Sequence, residues 1–122
     1  MAVTTGRSEL HHLAGTHHFR FDNGLPPALE VRSGDIVVFE TLEAYGGGLT
    51  RDSTVEDMMA LPWDAVHCLT GPAFVQGAEP GDVLEAEILA IEHDDWAWTG
   101  PMTPVAARAI AMARMSVSLR AG

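Results

Sequence analysis

Lysine is absent from the 122 residues, so all seven cationic side chains are arginines. That absence removes a Schiff-base lysine, a Ser–Lys amidase and a Cys–Glu–Lys nitrilase triad together. Positive charge is scarce as well: 17 Asp and Glu against seven Arg leave a formal net charge of −10. Such a balance argues against a nucleic-acid partner and against a polybasic membrane surface. The single cysteine cannot close an internal disulfide, so no oxidising compartment is required. Long apolar runs are missing too. The best candidate, residues 105–119, is broken by Arg108 and Arg114 and falls short of the ~18 residues of a membrane span. The first twenty residues hold four histidines and no apolar signal-peptide core, so a soluble cytoplasmic protein is the expectation. What is there, 47% hydrophobic and 20% charged residues, suits one globular domain.

Charge is unevenly placed. All 17 acids lie at or before Asp95, which gives residues 1–100 a net charge of −13 and leaves residues 101–122 at +3. The composition changes at the same point to a run rich in Ala, Met and Arg. Thr103-Pro104 has the form of an N-cap followed by Pro at the first helical position, which predicts a C-terminal helix over about 104–118. A body of residues 1–102 and a divergent tail of residues 103–122 is the expected division.

The body reads as β. A short strand is predicted at Ala28–Val31, followed by the turn Ser33-Gly34-Asp35 and a nearly continuous apolar strand at Ile36–Thr41. Glu43 to Thr54 is a loop around Gly46-Gly47-Gly48. One short helix follows to Leu61, with Ser53 or Thr54 as its cap and Glu56 and Asp57 in its first turn. Further strands are expected at Ala65–Leu69, at Ala73–Gln76, and from Val83, where Leu84, Ala86, Ile88 and Ala90 share one face. Glu79-Pro80-Gly81-Asp82 has the Pro and Gly placement of a type II turn. Its likeness to Ser33-Gly34-Asp35 raises an internal duplication. The predicted fold is mainly β, an antiparallel sandwich or barrel-like unit with one short helix and a C-terminal helix.

Several residues could carry chemistry. If the stretch from His18 is extended, His18, Arg20 and Asp22 point to one side, where a His and a carboxylate could meet a metal; the plain alternative is a solvated N-terminus. His67 lies between Val66 and Cys68 before a Gly-Pro turn. It is either satisfied by a backbone carbonyl or acts as a ligand or general acid. Cys68 reads as a small core residue. Asp82 is expected to bond local backbone amides, whereas Glu79, after Gly77-Ala78, is expected against a cavity as a base or ligand. Gly46-Gly47-Gly48 has neither the flanking context nor the lysine of a phosphate loop. Trp63, Trp96 and Trp98 read as core or interface.

The string HCLTGPAFVQGAEPGDVLEAEI, from His67 to Ile88, closely resembles a segment of the acetamidase/formamidase family of the form HPLTGP followed by GAEPGD. HFRFDN from His18, PALEVRSGD from Pro27 and FETLEAYGG from Phe39 agree with that family, as does WTGPMTP from Trp98. The likeness covers about residues 15–102 and then stops. It departs at Glu43, where Asp is usual, at Gly48 for Gln and at Cys68 for Pro. Family members run to roughly twice this length or more, so the resemblance implies a truncated or frame-shifted amino-terminal portion whose activity alone is little or none.

What the resemblance implies is hydrolysis of a short-chain linear amide, formamide or acetamide, to a carboxylate and ammonia by a β-rich homo-oligomer. Glu79 and His67 are then the catalytic candidates, and His18, Asp22 and His67 the metal candidates. Amide cleavage needs an activated nucleophile and an acid for the departing amine. With lysine absent and Cys68 poorly placed, a water activated by a divalent metal, zinc first, is the route left. The competing readings are a cupin-like module that binds a small molecule without catalysis, and a fragment that docks on another chain.

Overall fold

In the computed structural model the fold grows from its most apolar segment. The structure describes residues 7–103 and 106–121. Ile36–Glu40 forms a central strand whose neighbours Val37 and Val38 point to opposite faces and are both buried. An uninterrupted apolar run predicts this double burial, because alternate side chains leave a strand on opposite sides. Elements are numbered in chain order: β1 Leu10–Leu13, β2 His17–His18, β3 Leu29–Val31, β4 Ile36–Glu40, α1 Val55–Met59, β5 Leu69–Thr70, β6 Ala73–Val75, β7 Leu84–Thr103 and β8 Ala106–Ala121.

Four of these make one sheet in the order β1-β4-β8-β7, while β2 pairs with β5 and β3 with β6. The core lies between the large sheet and the β3–β6 pair. Leu13, Val37, Val117 and Leu119 from the sheet meet Val31 and Val75 from the pair. Burying a valine of this kind contributes about 1.5–3 kcal/mol. The mainly β class holds and a two-layer sandwich is plausible, but the sheet is mixed. β1 runs parallel to β4, and β3 parallel to β6.

The expected C-terminal helix is not there. Residues Ala106–Ala121 are a strand with a partner on each edge, β4 through Ile36–Glu40 and β7 along its length. Two ladders of backbone hydrogen bonds override the helix propensity of Ala, Met and Arg, which is a weak prior of tenths of a kcal/mol per residue. Pro104, the expected first helical residue, lies outside the described residues. Met115, Val117, Leu119 and Ala121 turn to the core, alternating with Ser116, Ser118 and Arg120.

Other expectations hold or shift locally. The short helix forms at Val55–Met59 with Thr54 as its cap: its hydroxyl accepts from the Asp57 N–H and the Asp57 carboxylate accepts from the Thr54 N–H. Ala65–Leu69 is not a strand; a 3-10 turn at Trp63–Ala65 precedes a bend, and only Leu69–Thr70 pairs. On β7, a bulge between Ile88 and Ala90 reverses the alternation. Ala90 therefore pairs with Ser116, and Ile91 replaces it on the face shared with Val117 and Met115. That face outruns the core layer, so Leu84, Ile88 and Ile91 are each more than half exposed. Among the described residues no helix is long and apolar enough to cross a membrane.

Candidate functional site

The most deeply buried charged group among the described residues is Glu43, at 0% exposure, just after β4. Its Oε1 accepts from the N–H of Gly47 at 2.7 Å and of Leu49 at 3.4 Å. Its Oε2 accepts from the Tyr45 N–H at 3.0 Å and from the Trp98 indole Nε1 at 3.1 Å. Four donors fill the acceptor capacity of one carboxylate. The glycines make this possible. Gly46 and Gly47 sit at φ +66° and +89°, and a Cβ on Gly46 would lie 3.5 Å from Cys68 Sγ and 3.6 Å from Phe19 Cζ. The Gly-rich loop thus wraps a carboxylate rather than a phosphate. Tyr45 also stacks on Trp98 with ring centroids 6.0 Å apart, which ties β7 to the loop.

Cys68 is fastened beside this loop by its N–H, which donates to the Ala44 carbonyl at 3.0 Å. Burial, and then the nearby Glu43 charge, push its thiol pKa up, so it is a weaker nucleophile than a free cysteine. The half-buried position against Gly46 agrees with a packing role.

A second carboxylate, Asp35, closes the turn between β3 and β4. Its Oδ1 accepts from the Glu9 N–H at 3.0 Å and its Oδ2 from the Arg32 N–H at 2.9 Å, with His11 Nε2 at 3.0 Å. Burial alone would raise the Asp35 pKa. The hydrogen bonds from Glu9, Arg32 and His11, with the Arg32 charge, outweigh it and hold the carboxyl below its ordinary value. Glu9, His11 and Asp35 are the three potential metal ligands whose atoms lie within 4.8 Å of one another among the described residues. Asp35 is already committed to three donors there, and Glu9 Oε2 accepts from Arg32 at 3.1 Å, so the group serves as a clasp between β1 and the turn.

The Asp82 turn repeats that pattern. The Asp82 Oδ2 accepts from the Glu79 N–H at 2.8 Å while the Asp82 N–H donates to the Glu79 carbonyl at 3.0 Å, with Gly81 at φ +105°. In the first turn Arg32, Gly34 (φ +92°) and Asp35 play the same parts, with Asp35 N–H to Arg32 carbonyl at 3.0 Å. The local bonding expected of Asp82 is present.

The sequence-predicted residues are placed as follows. His18 Nδ1–H donates to the Gly71 carbonyl at 3.2 Å, which fixes its tautomer and leaves Nε2 as the basic nitrogen. The strand ends at His18, so the expected alternation to Asp22 is lost. Asp22 instead turns the chain, accepting from the Gly24 N–H through Oδ1 at 2.8 Å, and lines a cleft of about 470 Å³ with Glu30, Pro72 and Phe74. His67 is exposed at φ +65°, a left-handed conformation uncommon for a residue with a side chain. Glu79 is exposed rather than held against a cavity; what the turn engages is its backbone N–H and carbonyl, both bonded to Asp82. No hydrogen bond or ion pair joins Glu79 to His67 among the described residues, and His18, Asp22 and His67 are not gathered as Glu9, His11 and Asp35 are. Sequence reasoning missed Glu43 as a centre; its signal was an acid followed within five residues by three consecutive glycines.

Fold and site together define a mixed-sheet β protein whose Gly-rich turns and loops are each organised by a buried or turn-closing carboxylate. The chain belongs to the acetamidase/formamidase family, whose sequence pattern matches residues 5–110. It is 34% identical over 85 residues to a formamidase from Methylophilus methylotrophus, covering 69% of this chain and 21% of that one. An acetamidase from Mycolicibacterium smegmatis is 34% identical over 74 residues, 61% of this chain and 18% of that one. Among solved structures, an acetamidase from Bacillus halodurans superposes with a TM-score of 0.66 at 26% identity, covering 84% of this chain and 36% of that one. A gamma lactamase from Delftia acidovorans gives 0.62 at 31% identity, covering 74% and 25%. The chain spans about a fifth of the length of the curated relatives it matches.

Proposed function

We propose that this chain is the amino-terminal portion of a hydrolase that cleaves the carbon–nitrogen bond of short-chain linear amides, formamide or acetamide, giving a carboxylate and ammonia. The observation that carries the reading is the family match over residues 5–110, with relatives named as a formamidase and an acetamidase. The relatives named above are amide-cleaving enzymes by name or a lactamase, so the cupin-like alternative is not favoured. In this reading Glu79 serves as the base and His67 protonates the departing amine. Exposure of both side chains leaves them accessible to a small substrate, and the left-handed backbone of His67 is the kind of local strain found at functional positions.

His18, Asp22 and His67 are the proposed ligands of a divalent metal, zinc first, which would have to draw together three side chains that stand apart in this structure. Two imidazoles and a carboxylate are the donor set zinc prefers, and His18 has its second ring nitrogen anchored on a carbonyl as metal-binding histidines do. When bound, zinc would supply Lewis acidity toward the amide carbonyl. His18 would orient through its bond to Gly71, and Asp22 would offer Oδ2, since Oδ1 is engaged by Gly24. We place the protein in the cytoplasm and as a homo-oligomer, supported for the latter by the uncovered apolar face of β7. Ammonia release from formamide and acetamide, by this chain and by a form extended with the remaining length of a family member, tests the reading. Release by the extended form supports it; inactivity of both removes it.

A further inference from the structure

We infer that the cavity between the residues 49–58 segment and the Trp96–Trp98 part of β7 is a binding site for an uncharged, planar compound of one or two rings. The inference is independent of the amidase reading. The cavity measures about 400 Å³, within the ~300–1,000 Å³ range of small-molecule sites. Its walls are Leu49, Val55 and Met58 on one side and Trp96 and Trp98 on the other. Two indoles give flat apolar surface, and a methionine adapts to the outline of what lies against it.

The wall is held before any ligand arrives. The Trp98 N–H is bound by buried Glu43 at 3.1 Å and its ring is stacked on Tyr45, so its orientation is set from outside the cavity. The opposite wall is set by the Thr54 cap of α1, whose hydroxyl and N–H are both bonded to Asp57. A site whose walls are locked by neighbouring bonds loses little freedom on binding.

The polar inventory selects the ligand. Arg51, the one cation lining the cavity among the described residues, is ion-paired with Asp95. The Ser53 hydroxyl accepts from the Thr50 N–H at 2.8 Å and lies 3.4 Å from the Thr50 hydroxyl. With Arg51 already neutralised by Asp95 and a chain whose net charge is −10, an anion is disfavoured there. Among the described residues no carboxylate lines the cavity to receive a cation. Apolar contact and ring stacking remain.

The test titrates the full chain with the uncharged two-ring fluorophore Prodan (6-propionyl-2-dimethylaminonaphthalene), reading probe emission and energy transfer from tryptophan. One saturable site is expected. Trp96→Ala and Met58→Ala should each weaken it more than tenfold. Val55→Arg, at an exposed position on α1, should abolish it without touching the core. Ile88→Ser, on the separate apolar face of β7, should leave the affinity within twofold. Displacement by 2-naphthol but not by 1-naphthoate is expected at neutral pH. Circular dichroism confirms that each variant is folded. Non-saturable binding, an equal loss in Ile88→Ser, retention in folded Val55→Arg, or equal displacement by the carboxylate would overturn the inference.

Discussion

Glu43→Gln keeps the shape of the side chain and replaces one acceptor oxygen with a donating amide. Each carboxylate oxygen receives two N–H donors: Gly47 and Leu49 on one, Tyr45 and Trp98 on the other. Either orientation of the glutamine amide therefore sets an NH₂ against two donors. The less damaging orientation sacrifices the 2.7 Å bond from Gly47 and the weaker 3.4 Å bond from Leu49. A hydrogen bond to a charged group contributes ~1.5–3 kcal/mol, and an unpaired buried donor costs a further ~1–3. The expected loss is about 3 kcal/mol, a large share of the ~5–15 kcal/mol that holds a domain folded. Urea unfolding followed by circular dichroism measures it. The same change removes the Glu43 charge that helps to raise the Cys68 pKa, so Cys68 should react faster with iodoacetamide at pH 8. A midpoint shift worth less than 1 kcal/mol, with unchanged Cys68 reactivity, would refute the claim that Glu43 organises the loop.

Three further outcomes are expected. Asp35 has a depressed pKa, so its contribution to stability is present above the unfolded value of ~3.9 and is lost as pH falls through its folded value; Asp35→Asn should flatten the acid limb of a urea-midpoint profile between pH 2 and 6. Ile88→Glu places a charge on the uncovered core-side face of β7 and should lower the sedimentation mass of the proposed homo-oligomer without unfolding the monomer. His18→Ala should weaken zinc binding, read by calorimetry, at least tenfold, and His11→Ala should leave it within threefold, because His11 is committed to Asp35.

The parts of the fold legible in advance are those whose signal is local. Thr54 with Asp57 three residues on forms the reciprocal cap it spells. Pro80-Gly81-Asp82 makes its turn because Gly81 alone tolerates φ +105° without cost. Val37 and Val38 are buried on both faces because four successive apolar residues leave no polar side to expose. Of the candidate site, His18 and His67 were visible as residue types, while Glu43 was not singled out. Its importance arises from Trp98, 55 positions away, and from backbone donors that converge only once the glycines have bent.

Composition and short motifs by themselves determined that this is an acidic, lysine-free β protein of the acetamidase/formamidase family, since those properties belong to residues and their immediate neighbours. Tertiary structure decided the rest. It made a strand of the tail, because β4 and β7 each offered that segment a ladder of backbone partners, and it turned a flexible-looking glycine run into a cage for a carboxylate. Hydrogen bonds between distant segments are worth more than the local preferences they override, and no window of neighbouring residues contains them.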